Sequence, residues 1–406
     1  MLICNNITTN MKKRLLYYQI IKQLEHKNAL VVTGMRQVGK TTLLRQIYDE
    51  IKDKPKLWFD FDNPLEQKLF EDEDYRNIYL QLTQMVQNPG KKIYCFLDEI
   101  QNFPEITKVI KYLIDHYRVK FIVTGSSNFY LKNLFPESLS GRKFLFQLNP
   151  LRFPEYLYFN DQIDLKEILS SNLQSNIDKS SIFIHKKYQT FYNQYLTFGG
   201  FPEVAVNSDK QTKELILKNI VASFFEKDIR ILANYSNIRE LRDLLLLLVP
   251  RVGSMIDISK IASELGVDRP KIYRYLEYLQ GVFMIKLLPK YSKSIDRAVA
   301  GRKKVYFSDS GILNTLGRVN DGQLFENTVI NQLSNYGDIA FYNQRQSSEI
   351  DAIMDQKIAF EIKLNAVPKD YQKLLKITDK LSVKQSYLVS KKYNENLKQT
   401  ITPVVL

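Results

Sequence analysis

Ala29-Leu30-Val31-Val32-Thr33-Gly34-Met35-Arg36-Gln37-Val38-Gly39-Lys40-Thr41-Thr42 opens as an apolar run and closes on a basic turn. The first five residues predict a buried strand, and Thr42-Leu43-Leu44 begins a helix with one apolar side. Between them the residues match G-x-x-x-x-G-K-[ST] at every defined position, the Walker A pattern. Gly34 and Gly39 let Met35, Arg36, Gln37 and Val38 wrap tightly, so that consecutive backbone N–H groups face phosphates at a helix N-terminus. Lys40 then neutralises terminal phosphates, and the Thr41 hydroxyl is positioned for Mg²⁺. A strand-to-helix turn that binds nothing would need neither the lysine nor the second glycine.

Working outward, Lys92 to Leu97 reads as a second buried strand ending in Asp98-Glu99. An aspartate at a strand tip can hold magnesium, and the adjacent glutamate can polarise an attacking water. ATP and Mg²⁺ are therefore the predicted cofactors. Further strands are read at Leu57 to Phe61 and Phe121 to Thr124, the latter leading into Gly125-Ser126-Ser127-Asn128, where a group that senses the terminal phosphate would sit. Arg142 follows at a distance suited to an arginine finger offered to a neighbouring subunit of a homo-oligomer; the alternative is a surface or ion-paired arginine. Strands alternating with helical patterns up to about residue 155 predict a parallel sheet flanked by helices.

The chain has 406 residues, long enough for several cores, and its 58 Lys and Arg against 44 Asp and Glu leave a formal charge of +14. That balance favours a polyanionic partner such as DNA, or equally a generally basic surface. Two cysteines exclude a disulfide framework. No run approaches the roughly 20 apolar residues of a membrane span, so no membrane partner and a cytoplasmic location are expected. The three histidines, His26, His116 and His185, form no cluster in sequence.

Residues 156–250 read as helical, apart from a loop at Gly199-Gly200. In 251–308, Ser259 to Leu265 closes on Gly266, and Asp268 caps a second helix to about Gln280, which together form a helix-turn-helix unit. Arg269, Lys271 and Arg274 point away from the core face made by Ile272, Leu276 and Leu279, as a DNA recognition helix requires. Lys286, Lys290, Lys293, Arg297, Arg302, Lys303 and Lys304 crowd the following hairpin, a candidate wing for phosphate contacts. The same module could instead serve protein contacts.

In 309–406, Ile350 to Met354 and Ile358 to Lys363 read as a hairpin. A turn centred on Gln356 sets Asp351 opposite Glu361, with Lys363 on the same face. Two carboxylates and a lysine resemble the PD-(D/E)XK nuclease core, where carboxylates hold Mg²⁺ and the lysine positions water. Glu326, in the preceding helix, matches the additional acid of such cores.

Taken together, GMRQVGKTTLLRQ, FLDEIQNFPE, IVTGSSNFYL, SLSGRKFLFQLNPLRFPEYL and YLTFGGFPEV resemble a family of bacterial and archaeal AAA-type ATPases with a C-terminal DUF4143 region, as do GSMIDISKIASELGVDRPKIYRYLEYLQ, KKVYFSDSGI and LFENTVINQL. The resemblance implies an α/β P-loop NTPase core of the AAA+ type, then a helical and winged-helix region, then an α+β restriction-endonuclease-like domain. Three functions stay open: an ATPase coupled to DNA binding or remodelling, an ATP-gated metal-dependent nuclease, and a nucleotide-controlled assembly switch with an inactive tail.

Overall fold

The computed structural model describes residues 11–87, 90–125, 141–228, 235–292, 294, 301–344, 348–397 and 399–406. The chain divides into two compact units, Met1–Asn149 with Gly281–Phe283, and Pro150–Gln280 with Met284–Leu406.

The first unit is built on a five-stranded sheet of β1 (Ala29–Thr33), β2 (Lys56–Asp60), β3 (Tyr94–Asp98), β4 (Lys120–Gly125) and β5 (Lys143–Gln147), in the order β2-β3-β4-β1-β5. All neighbours run parallel. The four inner and early strands agree with the apolar runs read from sequence to within a residue or so. Every residue of β1, β3 and β4 is buried, which is why these strands read as continuous apolar runs rather than alternating ones. Helices Lys40–Glu50, Tyr75–Gln84 and Ile106–Tyr117 supply the crossovers. Ile78 and Leu82 of the second, and Ile106, Val109, Ile110 and Leu113 of the third, share a core with alternate residues of the strands, such as Val31, Cys95 and Val123. Because β1 lies between β4 and β5, the sheet reverses its winding at β1, and a crevice opens beyond the carboxyl ends of the strands.

In the second unit, the described residues between Phe153 and Leu248 form helices and their connections. Helices Ile258–Leu265 and Arg269–Gly281 follow, joined through Gly266, whose φ of 65° closes the first. Strands β6 (Ile285–Leu288) and β7 (Lys304–Phe307) then pair antiparallel, Leu288 opposite Lys304. A second five-stranded sheet, in the order β12-β11-β10-β9-β8, comprises β8 (Ile339–Gln344), β9 (Ser348–Met354), β10 (Ile358–Lys363), β11 (Gln385–Ser390) and β12 (Thr400–Ile401). Its β8-β9-β10 half is antiparallel and its β10-β11-β12 half parallel, with helix Pro368–Leu381 crossing between β10 and β11. The segment read as a helical stretch and the tail share this unit: the Tyr192 hydroxyl donates to Gln332 Oε1 at 2.8 Å and the Gly200 amide to Asp309 Oδ2 at 2.8 Å. Among the described residues no helix is long and apolar enough to cross a membrane.

Candidate functional site

The glycine-rich loop leaves β1 at Thr33 and enters helix Lys40–Glu50. Gly34 has φ 153°, and a Cβ there would lie 2.1 Å from the Leu148 carbonyl oxygen, so no other residue fits. Gln37 and Gly39 take left-handed φ values of 61° and 92°, the kind of turn that aims successive amides into one concavity. Met35 and Val38 are buried and anchor the loop from within. Arg14, also buried, donates to the Val38 carbonyl at 3.0 Å and to the Asn149 carbonyl at 2.8 Å. Lys40 Nζ donates to the carbonyls of Gly34 at 3.1 Å and Met35 at 2.8 Å. Its charge is thus held inside the loop.

Strand register carries the rest of the site to the same end of the sheet. Thr124 on β4 lies opposite Val32 on β1, and Leu97 on β3 lies opposite Val123, so Asp98 is one step away from Thr124. The Thr124 hydroxyl donates to Asp98 Oδ1 and accepts from the Glu99 amide at 3.0 Å. Thr41 also hydrogen-bonds the Asp98 carboxylate. Burial raises the Asp98 pKa above its ordinary value; the two threonine hydrogen bonds oppose this, while Glu99 and Asp60 add to it. Glu99 has φ 55°, a left-handed backbone that costs a non-glycine residue on the order of 1–3 kcal/mol and is found mostly where function demands it. Gln101 Nε2 donates to Glu99 Oε2.

The structure brings Lys40, Thr41, Asp98 and Glu99, the residues read from sequence, to one crevice, and adds Thr124, Gln101, Asp60 and Arg14. Gln101 had a local signal, an amide two residues after the glutamate. Thr124 and Arg14 had none, since their partners are distant in the chain. Ser126, Ser127 and Asn128, where the phosphate sensor was expected, lie outside the described residues. Arg142 is not brought to this crevice. It precedes β5, and its carbonyl accepts from the Ala29 amide at 2.8 Å, at the amino end of the sheet. Its Nε donates to Asp115 Oδ1 at 2.7 Å.

On helix Arg269–Gly281, Ile272, Tyr275, Leu276, Tyr278 and Leu279 are buried, while Arg269 and Arg274 are exposed. Lys271 departs from the outward reading: it is half-buried and its Nζ pairs with Glu240 Oε2 at 2.6 Å, an oxygen that also accepts from the Tyr275 hydroxyl at 2.7 Å. The expected basic wing is likewise corrected in part. Lys286, Lys290 and Lys303 are half-buried, Arg302 lies 3.7 Å from Asp257 Oδ2, and Lys304 is buried among carboxylates. Lys293 and Arg297 lie outside the described residues.

The tail hairpin has the register read from sequence. Ile358, Ala359 and Phe360 oppose Met354, Ile353 and Ala352, and one step further Glu361 meets Asp351. The Ile362 amide donates to Asp351 Oδ2 at 2.8 Å, and Lys363 Nζ lies 2.7 Å from Glu361 Oε1. Lys304 Nζ lies 3.6 Å from Glu326 Oε1 and 4.0 Å from Asp351 Oδ1, which links Glu326 to this face. Burial, reinforced by Asp351, pushes Glu326 and Glu361 up to about 7. Glu361 Oε2 is buried without a hydrogen-bond partner. Among the described residues no three His, Cys, Asp or Glu side chains converge as metal donors.

Residues 26–157 match the AAA domain, 189–323 a domain of unknown function (DUF8612), and 321–405 a domain of unknown function (DUF4143). An uncharacterized protein of Methanocaldococcus jannaschii is 27% identical over 362 residues, 87% of this chain and 78% of its own. An uncharacterized protein of Haemophilus influenzae is 26% identical over 385 residues, 90% and 89% of the two chains. Among solved structures, a Walker-type ATPase of Pyrococcus abyssi aligns over 74% of this chain and 94% of its own, at 16% identity and a TM-score of 0.46.

Proposed function

We propose that this chain, which joins an AAA domain on a P-loop NTPase-like core to a C-terminal DUF4143 region, binds ATP with magnesium and hydrolyses it. The observation that carries the reading is the hydrogen-bonded chain Asp98, Thr124, Glu99 across the ends of β3 and β4, with Thr41 reaching the Asp98 carboxylate from the first turn of the helix after the loop. A hydroxyl and a carboxylate, both hard oxygen donors, suit Mg²⁺. When bound, that ion would neutralise charge developing on the phosphates. Lys40 exchanges the carbonyls of Gly34 and Met35 for phosphate oxygens, while the loop amides hold the phosphates in place. Glu99 polarises water, and Gln101 together with the Thr124 contact at the Glu99 amide keeps its carboxylate oriented.

Glu99→Gln preserves shape and loses the basic oxygen. It is expected to bind ATP as the wild type does and to lower turnover by about 100-fold or more, from the lower end of the range for a lost general base upward. Lys40→Ala is the companion control and is expected to lose tight ATP binding altogether. Unchanged turnover in Glu99→Gln at saturating ATP would remove the glutamate from this role.

The exposure of Arg269 and Arg274 on the outer face of helix Arg269–Gly281 favours a second activity, DNA binding by a winged-helix type of contact. In this reading the nucleotide state of the ATPase controls how the protein engages duplex DNA.

A further inference from the structure

Lys304 reads in sequence as one more base in a basic stretch, and the fold puts it elsewhere. It is 3% exposed at the start of β7. Its Nζ lies 2.8 Å from Glu349 Oε1, 3.6 Å from Glu326 Oε1 and 4.0 Å from Asp351 Oδ1. Tyr306, two residues on, donates its hydroxyl to Glu326 Oε1 at 2.7 Å. The Phe341 ring closes one side, its centroid 5.5 Å from the ammonium. The lysine backbone is pinned as well, by pairing with Leu288 on β6 and by a bridge to Met255.

We infer that Lys304 is the resident cation of the tail's acidic cluster, filling the place a divalent ion would need, so that the cluster is a structural centre and not a metal-dependent nuclease site. A divalent ion bound to these oxygens at the usual 2.0–2.6 Å would come within about 4 Å of the ammonium, and the two like charges would repel at low dielectric. Displacing the ammonium would leave Glu326 and Asp351, both largely buried, without the cation they share. Glu361, the remaining acid, has its own cation in Lys363. The lysine also ties the hairpin after the helix-turn-helix to β9, because Glu349 and Asp351 both belong to that strand.

The full-length protein without nucleotide tests this with Mn²⁺ as probe, counting bound ions by electron paramagnetic resonance titration and following thermal unfolding. Wild type and Asp351→Asn are expected to bind the same number of Mn²⁺ ions. Lys304→Met is expected to gain one Mn²⁺ ion and a rise in melting temperature with added Mn²⁺, both lost in the Lys304→Met/Asp351→Asn double variant. Loss of one bound ion from the wild type on Asp351→Asn overturns the inference, as does a folded Lys304→Met that gains none. If Lys304→Met does not fold, the comparison of wild type with Asp351→Asn decides alone. DNA cleavage by the wild type with Mg²⁺ or Mn²⁺ that disappears in Asp351→Asn would overturn it too.

Discussion

Asp309 accepts at one oxygen from the amides of Gly311 at 2.8 Å and Ile312 at 3.0 Å, and at the other from Gly200 at 2.8 Å. It caps helix Ser310–Leu316 while binding a loop more than a hundred residues away. Gly199 has φ 74°, and a Cβ there would fall 2.0 Å from Asp309 Oδ1, so the Gly-Gly pair and the aspartate require one another. Burial raises the Asp309 pKa to about 6 against three opposing hydrogen bonds. A carboxyl whose folded pKa lies above its unfolded value contributes stability that is present at low pH and lost as pH rises through the folded value. Asp309→Asn removes the charge but sacrifices the Gly200 contact. Its melting temperature relative to wild type is therefore expected to climb between pH 4 and pH 7, whereas a flat difference would mean that ionisation of Asp309 carries no penalty. Asp309→Ala, which orphans three amides and a cap, should cost about 2–3 kcal/mol at pH 7 and more at pH 4, because it too escapes the ionisation penalty that the wild type meets as pH rises. None of this was legible in the residues themselves. Lys40, Asp98 and Glu99 could be read because their chemistry is set by neighbours in sequence, whereas Asp309 and Lys304 take their roles from groups that only the fold brings near.

At the scale of elements, helix Arg269–Gly281 divides its basic residues between two tasks. Arg269 and Arg274 face solvent, while Lys271 is tied to Glu240. Replacing both arginines with alanine is expected to weaken duplex DNA binding and to reduce the slope of log affinity against log salt by roughly 2, about one for each lost phosphate contact. Lys271→Ala should instead leave that slope unchanged and lower thermal stability, because it takes away the cation paired with the half-buried Glu240 and leaves that carboxylate the Tyr275 hydroxyl. A salt slope untouched by the double replacement would favour protein contacts for this module. The elements that were easiest to read carry either a continuous apolar run or a short local turn. Strands β1 to β4 appear as apolar runs, and the β9–β10 register follows from the turn at Asp355 and Gln356, with φ values of 47° and 60°. Strand β5 was not read as a strand: its burial alternates between half-buried and exposed residues, as an edge strand's does, so Lys143 to Gln147 lacks a continuous apolar signature. The basic hairpin was misjudged for a related reason. A lysine's long apolar stem packs in a core as well as it reaches into solvent, and sequence does not distinguish the two.

For the molecule as a whole, the two compact units each have a sheet and a core of their own, and the proposed nucleotide site lies wholly in the first. Ligand that binds only the folded state stabilises the unit that holds it by RT ln(1 + [L]/Kd), about 2.7 kcal/mol at a hundredfold excess over Kd. For domains of this size each kcal/mol moves a melting temperature by roughly 2–4 °C. Differential scanning calorimetry of the full chain is therefore expected to show two transitions. A non-hydrolysable ATP analogue with Mg²⁺ should raise one of them by about 5–10 °C and leave the other in place, and Lys40→Ala should abolish that rise. Asp309→Ala should lower the second transition by a comparable amount while the nucleotide shift of the first persists, since Asp309 and its three donors all belong to the second unit. If one cooperative transition responds to both nucleotide and Asp309→Ala, the two units do not unfold independently, and nucleotide binding must then stabilise the tail as strongly as the core that contains Lys40.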